Sequence, residues 1–315
     1  MDRACFRLVF RASLLLIAAT GGMGARDAAG QVGPAAGAQD AAGQVTAAAP
    51  PAGFRLEDVG LATPESVLHD PAADVYLVSN INGNFLTADD NGFISRIAPG
   101  GRVLALKWID GAAEDVVLHA PKGMAIIAET LYVADLEAVR MFARESGRPL
   151  GAIPIPNAKL PNDLTPAPAG GLYLSDNVAG ALWRIAPDHG LTQLARGAEL
   201  QGPNGLAMRG GDLLFATSAG RTVSGWNADG RPRALWQTPL GGLDGLVVLT
   251  DGSVLVSSWQ GSAVYRCGPD STVREIVNRV PAPADIGFDA GRNLILIPLF
   301  QDDAVVARPL ATPPR

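Results

Sequence analysis

An all-β fold, a six-bladed β-propeller, is what the 315-residue sequence predicts, and three observations predict it. First, a short phrase recurs six times: Pro64-Glu65-Ser66-Val67, Pro121-Lys122-Gly123-Met124, Pro161-Asn162-Asp163-Leu164, Pro203-Asn204-Gly205-Leu206, Leu243-Asp244-Gly245-Leu246 and Pro283-Ala284-Asp285-Ile286. The intervals are 57, 40, 42, 40 and 40 residues, and a period near 40 marks a repeat architecture before any strand is assigned. Second, each phrase precedes apolar runs of about five residues divided by Gly, Pro and Asp, the punctuation of short antiparallel strands. Third, the chain has 37 glycines and 24 prolines and no long stretch of helical 3.6-residue period, which disfavours a helical solenoid.

Taken in order, the chain opens with Arg3, Arg7 and Arg11, the apolar Ser13 to Ala19 and the small residues Gly21 to Ala25. That sequence of charge, apolar run and small residues predicts a signal peptide over 1–25 and export to the periplasm or medium. The apolar run is too short to span a bilayer, so no membrane association is expected once the signal is removed. Residues 26–53, mostly Ala, Gly, Gln and Pro, predict a linker that buries too little surface to order itself. The propeller is expected over 54–315. Cys5 leaves with the signal, so Cys267 stands alone, without an intramolecular disulfide or a thiolate metal site. The formal net charge of −6 disfavours nucleic acid, and a monomer is expected.

The third unit is the pattern for the others. After Pro161-Asn162-Asp163 it reads as a short apolar strand, a turn at Pro168 to Gly171, a strand Leu172 to Ser175, a strand Ala181 to Ile185, a turn at Pro187 to Gly190 and a fourth strand Leu191 to Arg196. Second strands recur at Val75, Leu131, Leu213, Val254 and Leu294. The sixth unit ends after a third strand at Ala304 to Arg308, whereas Phe54 to Val59 is a spare strand before the first phrase. The N-terminal strand is therefore expected to complete the last blade and close the ring. Two long segments, Asn80 to Gly92 and Ile109 to Ala120, fall on the face where the phrases begin, and functional loops gather on one face of such folds.

With the first strand of each blade innermost, the second residues of the phrases, Glu65, Lys122, Asn162, Asn204, Asp244 and Ala284, converge on the axis. Glu65, Asn162, Asn204 and Asp244 then form an all-oxygen set suited to a hard divalent cation, Ca²⁺ before Mg²⁺, and without the His or Cys that zinc prefers. Asn-Gly, Asn-Asp and Asp-Gly are also ordinary turn formers; Glu65 is not. His119, three residues before Lys122, is a candidate base or simply a loop histidine, while His69 and His189 are placed away from this mouth. Trp259, Phe300 and Arg221 lie in loops of the same face. No Gly-x-Ser-x-Gly phrase or phosphate loop is present.

From Phe54 to Leu310 these phrases, with Leu172-Tyr173-Leu174-Ser175-Asp176 following the third, resemble the SMP-30/gluconolactonase (regucalcin, LRE-like) family of six-bladed propellers; parts are shared with NHL-type and strictosidine-synthase-like propellers. The resemblance implies a metal held by Glu65, Asn204 and Asp244, with Asn162 orienting water or substrate. It further implies hydrolysis of a small-molecule lactone or ester by a metal-activated carbonyl, with Asp244 as general base. Two departures stand out: Leu160, beside Lys159, occupies a position usually basic in sugar lactonases, and Lys122 aims an ammonium at the axis. Lys122 either leans away, binds an anionic substrate or replaces part of the metal's charge. The alternative reading is a non-catalytic secreted propeller that binds a ligand or protein.

Overall fold

The computed structural model describes residues 53–226 and 230–311. The expected signal peptide, the linker up to residue 52 and Cys5 lie outside the described residues. Among the described residues six sheets of four antiparallel strands follow one another along the chain, five of them with their strands in sequence order. In the sixth sheet the order is Gly287–Asp289, Leu294–Leu299, Ala304–Pro309 and then Arg55–Leu56, so the N-terminal strand is the outermost strand of the last blade. Arg55 faces Val306 and Leu56 faces Val305 in antiparallel register. The expected six-residue strand from Phe54 to Val59 is only two residues long. Phe54 adds one bond by accepting from Ala307 N–H at 2.8 Å, and the chain then leaves the ladder at Asp58, whose φ of 56° no strand tolerates.

Burial grades outward through each blade and explains the composition of its strands. Val75–Asn80 and Leu294–Leu299, second strands, are buried at every residue, because they have a neighbouring blade on each face. The outermost strands, such as Leu191–Arg196, carry Thr, Gln and Arg to solvent. The apolar core is divided into six wedges, one at each blade interface. Leu214 and Trp236 of blade four meet Val256 and Tyr265 of blade five, and Leu56, Tyr76 and Val78 meet Leu294 and Leu296 across the seam where the chain ends join. The remaining four interfaces follow the same plan.

That seam also carries polar ties. Tyr76 donates its hydroxyl to Asp289 Oδ2 at 2.7 Å, and Arg292 bonds both Asp289 and Asp74. Nearer the axis the backbones themselves join: Val67 N–H donates to Asp285 O at 3.2 Å and Asp285 N–H to Glu65 O at 2.9 Å. Cys267 is buried and free, and burial pushes its thiol up to about 12.

Innermost strands of adjacent blades approach so closely that the glycines of the phrase are required. A Cβ built on Gly205 would lie 2.1 Å from the carbonyl oxygen of Asp244 and 2.8 Å from the Cα of Gly245. One on Gly245 would lie 2.2 Å from the nitrogen of Ile286. The obstacles are backbone, which cannot rotate aside. Gly205→Ala is therefore expected to destabilise the fold by about 3 kcal/mol, read as a lowered denaturant midpoint at unchanged m value.

Candidate functional site at the blade axis

In four blades the recurring phrase is the start of the first strand; in blades two and six it leads into Met124–Ile127 and Gly287–Asp289. The innermost strands run Pro64–Asp70, Pro161–Pro166, Pro203–Arg209 and Leu243–Val248 in blades one, three, four and five. In each, the register with the second strand slips immediately after the first residue. Such a slip leaves residues outside the ladder and re-aims their side chains. Glu65, Asn162, Asn204 and Asp244 all fall in it.

Hydroxyls on the second strand replace part of the lost ladder. Ser66 N–H donates to Ser79 Oγ at 2.9 Å, Asp163 N–H to Ser175 Oγ at 3.0 Å and Gly245 N–H to Ser257 Oγ at 2.9 Å. The next residue of the second strand fastens the segment that leads into the phrase. Asp176 accepts from Lys159 and Leu160 N–H, both at 2.8 Å, and Asp135 from His119 and Ala120 N–H at 3.1 and 2.8 Å. Asn80 does the same for Ala62 at 3.1 Å. Glu65 and Asn162 are thus mounted on short stretches tied from both ends.

Glu65, Lys122, Asn162, Asn204 and Asp244 are all buried, none more than 6% exposed. Within that group, Glu65 Oε2, Asn162 Oδ1, Asn204 Oδ1 and Asp244 Oδ1 are buried acceptors with no hydrogen-bond partner. Leaving one such oxygen bare costs about 1–3 kcal/mol, so four from four blades form a donor set suited to a cation. Asp244 divides its oxygens: Oδ2 accepts from the indole N–H of Trp259 at 2.7 Å, while Oδ1 stays bare. Ala284, the ring member without a polar group, is fully buried.

Third positions of the phrase bring two further carboxylates inside. Asp163 accepts from Leu164 N–H of its own strand and Leu206 N–H of the next blade, and Asp285 accepts from Ser66 Oγ across the seam. Sequence reasoning missed both as parts of the site. The available signal was an acid at a position where other units carry Gly or Ser.

Burial raises the Asp244 carboxyl to about 8, with the charge of Asp285 adding and the indole bond opposing. Burial likewise raises Asp285 to about 7 against its bond from Ser66. Glu65 is raised well above the ordinary range, by burial first and then by Asp244 and Asp285, while Lys122 pulls it down. Burial lowers the Lys122 ammonium, and Glu65 is the first of the carboxylates that oppose this. Of the alternatives open for Lys122, its ammonium donates to Ala120 O at 2.8 Å.

His119 is braced in its loop: Asp90 N–H donates to its Nδ1 at 3.2 Å and Asp90 Oδ1 lies 2.9 Å from the same nitrogen. His119, Asp135 and Glu137 come within metal-ligating distance of one another. Arg140 already bonds both of those carboxylates, which makes the group a hydrogen-bonded brace in this structure. Arg221, grouped by sequence with Trp259 and Phe300, is exposed and lines a separate groove with Gln201, Leu240 and Gln260.

Carboxyls raised on folding hold more protons folded than unfolded, so the stability they permit is complete below about pH 4 and is lost as pH rises through 7 to 8. In cation-free protein the melting temperature is expected to fall between pH 5 and 8, and Asp285→Asn is expected to flatten that fall.

The sequence matches no protein-family profile and no curated protein. Solved structures match over most of the chain. A gluconolactonase from Xanthomonas campestris is 19% identical, with 79% of this chain and 86% of that one covered and a TM-score of 0.61. A second protein assigned to the gluconolactonases is 21% identical over 82% and 94%, with a TM-score of 0.64. Virginiamycin B lyase from Staphylococcus aureus is 13% identical over 81% and 98%, with a TM-score of 0.61. In fold, the chain is a six-bladed β-propeller, similar to these gluconolactonase and lyase structures.

Proposed function

We propose that this protein is an exported hydrolase of a small-molecule lactone or ester, acting at the axial site with a divalent cation, Ca²⁺ by the chemistry of its donors. The observation that carries the reading is the set of four bare, buried oxygens on Glu65, Asn162, Asn204 and Asp244. Glu65, Asn204 and Asp244 would hold the cation, and Asn162 would orient water or substrate beside it. All donors are oxygen and come from four separate strands, which suits Ca²⁺, whose coordination is large and adaptable, better than Mg²⁺. When bound, the cation supplies Lewis-acid polarisation of an acyl carbonyl and acidifies water.

The remaining chemistry belongs to the chain. The indole of Trp259 fixes the Asp244 carboxylate so that Oδ1 is presented to the axis. Asp244 takes a proton from the attacking water as the acyl carbon gains oxygen, and that proton passes to the leaving oxygen as the acyl C–O bond breaks. Asp163 and Asp285 hold the strands that carry the donors. Lys122 offsets the charge on Glu65. Among the structural neighbours, a histidine-to-alanine variant of the lyase is described as catalytically inactive. Here His69 is the penultimate residue of the first strand of blade one, His189 sits in a turn and His119 is braced by Asp90, which favours hydrolysis over that lyase chemistry.

Asp244→Asn removes the base and one ligand charge, and leaves a single oxygen where both the Trp259 indole and the cation need one. Turnover of a lactone panel is expected to fall about a thousandfold and bound metal, measured by elemental analysis, to fall with it. Glu65→Gln or a chelator is expected to remove both metal and activity. Metal retained unchanged in both variants would overturn the axial metal site, and a protein that holds metal yet turns over no lactone or ester would instead be a binding module. Lys122→Met removes a positive charge that faces Glu65 and is expected to tighten Ca²⁺ binding about tenfold at low salt, by calorimetry. For export, N-terminal sequencing of protein from the periplasm or medium is expected to begin after residue 25.

A further inference from the structure

A second set of residues follows the second strands, Ile81, Asn177, Ser218, Trp259 and Phe300, with Leu136 one residue later in blade two, after Asp135. Blades five, six, one and two are consecutive around the closed ring, and all four are apolar here. Blades three and four carry small polar residues, and these are committed to each other, Asn177 Nδ2 donating to Ser218 Oγ at 2.8 Å. The mouth therefore has an apolar arc and a narrower polar arc.

The apolar arc reaches the reacting carboxylate. Trp259 is bonded through its indole nitrogen to Asp244, and the Phe300 ring lies 5.1 Å from the indole at an interplanar angle of 53°. Loops of the same face also leave Leu86, Val117, Val178 and Leu240 exposed. Of the basic groups on this face, Lys122 is bonded to Ala120, Lys159 is exposed while its neighbour Leu160 is buried, and Arg221 is exposed in the groove lined by Leu240 and Gln260.

We infer that the site takes a lactone or ester bearing an alkyl or aryl group, which seats against Trp259 and Phe300, and not a polyhydroxylated sugar lactone. The inference rests on the hydrolase reading above and names its substrate class. A hydroxylated ring would lose its water against this wall without gaining partners, which costs free energy. A methylene buried there gains about fourfold in affinity, and aromatic faces add specific contact with aryl groups.

The test compares kcat/KM for γ-lactones with side chains from none to heptyl and for glucono-δ-lactone, alongside calorimetric binding of the matching alkyl γ-lactams, which resist cleavage. The expected result is a rise of about three- to fourfold per methylene over the first several carbons, with lactam affinity rising in parallel. Phe300→Ala is expected to lower the heptyl-to-unsubstituted ratio of kcat/KM at least fivefold, and Phe300→Leu to restore most of it. Faster turnover of the sugar lactone than of every alkyl lactone overturns the inference and leaves the hydrolase reading standing. Lactam binding that rises with chain length, without turnover of any lactone, supports the apolar wall and overturns the hydrolase reading. Lactam affinity indifferent to chain length, or a heptyl ratio unchanged in Phe300→Ala, overturns the inference whatever the turnover.

Discussion

The contact on which the rest depends is the approach of innermost strands around the axis, backbone against backbone. Gly205 meets the carbonyl of Asp244, Gly245 meets the nitrogen of Ile286, and Gly123 meets Asp163. At that separation a strand cannot present a side chain to its neighbour at the third position of the phrase unless the residue bonds the neighbour, as Asp163 and Asp285 do. The second position is left to face the axis. One steric constraint thus sorts the phrase into residues that join blades and residues that meet a ligand.

The electrostatic consequence follows from the same packing. Glu65, Asp163, Asp244 and Asp285 are buried with Lys122 as the cation among them, and burial is the largest cause of every raised carboxyl. Peripheral carboxylates that meet an arginine behave in the opposite way. Asp70 is also buried, yet its bonds from Arg144 and from the Ala73 and Ala72 amides outweigh burial and hold it below the ordinary range. The two environments separate a structural ion pair between blades from an axial cluster short of positive charge.

The architecture was legible because its signals are local and repeated. Second strands appear as buried aliphatic runs, and the third strands Phe93–Ile97 and Ala181–Ile185 lie where the pattern predicts them. Closure by the N-terminal strand was legible from a missing strand at one end and a spare one at the other. Less was legible in the site. The roles of Ser79, Ser175 and Ser257 depend on a register slip that no periodicity records, and Gly205 reads as a turn former because the opposing backbone is 39 residues away in sequence, at Asp244. Trp259 was legible as a mouth residue, but its bond to Asp244 joins two strands of one blade through a side chain whose rotamer no sequence states.

The ring closes through residues at the two ends of the chain, Arg55 opposite Val306 and Leu56 opposite Val305. In synthesis the first of these strands emerges long before its partner exists. Blade six cannot be completed until Ala304–Pro309 has left the ribosome, and until then the wedge of Tyr76, Val78, Leu294 and Leu296 has one wall missing. Contacts this distant carry a large loop-closure cost and make folding slow. The last blade therefore acts as a clasp: a product truncated before Gly287 keeps five sheets but not a circle, leaves Arg55–Leu56 unpaired and exposes Tyr76 and Val78, surfaces that proteases and chaperones engage.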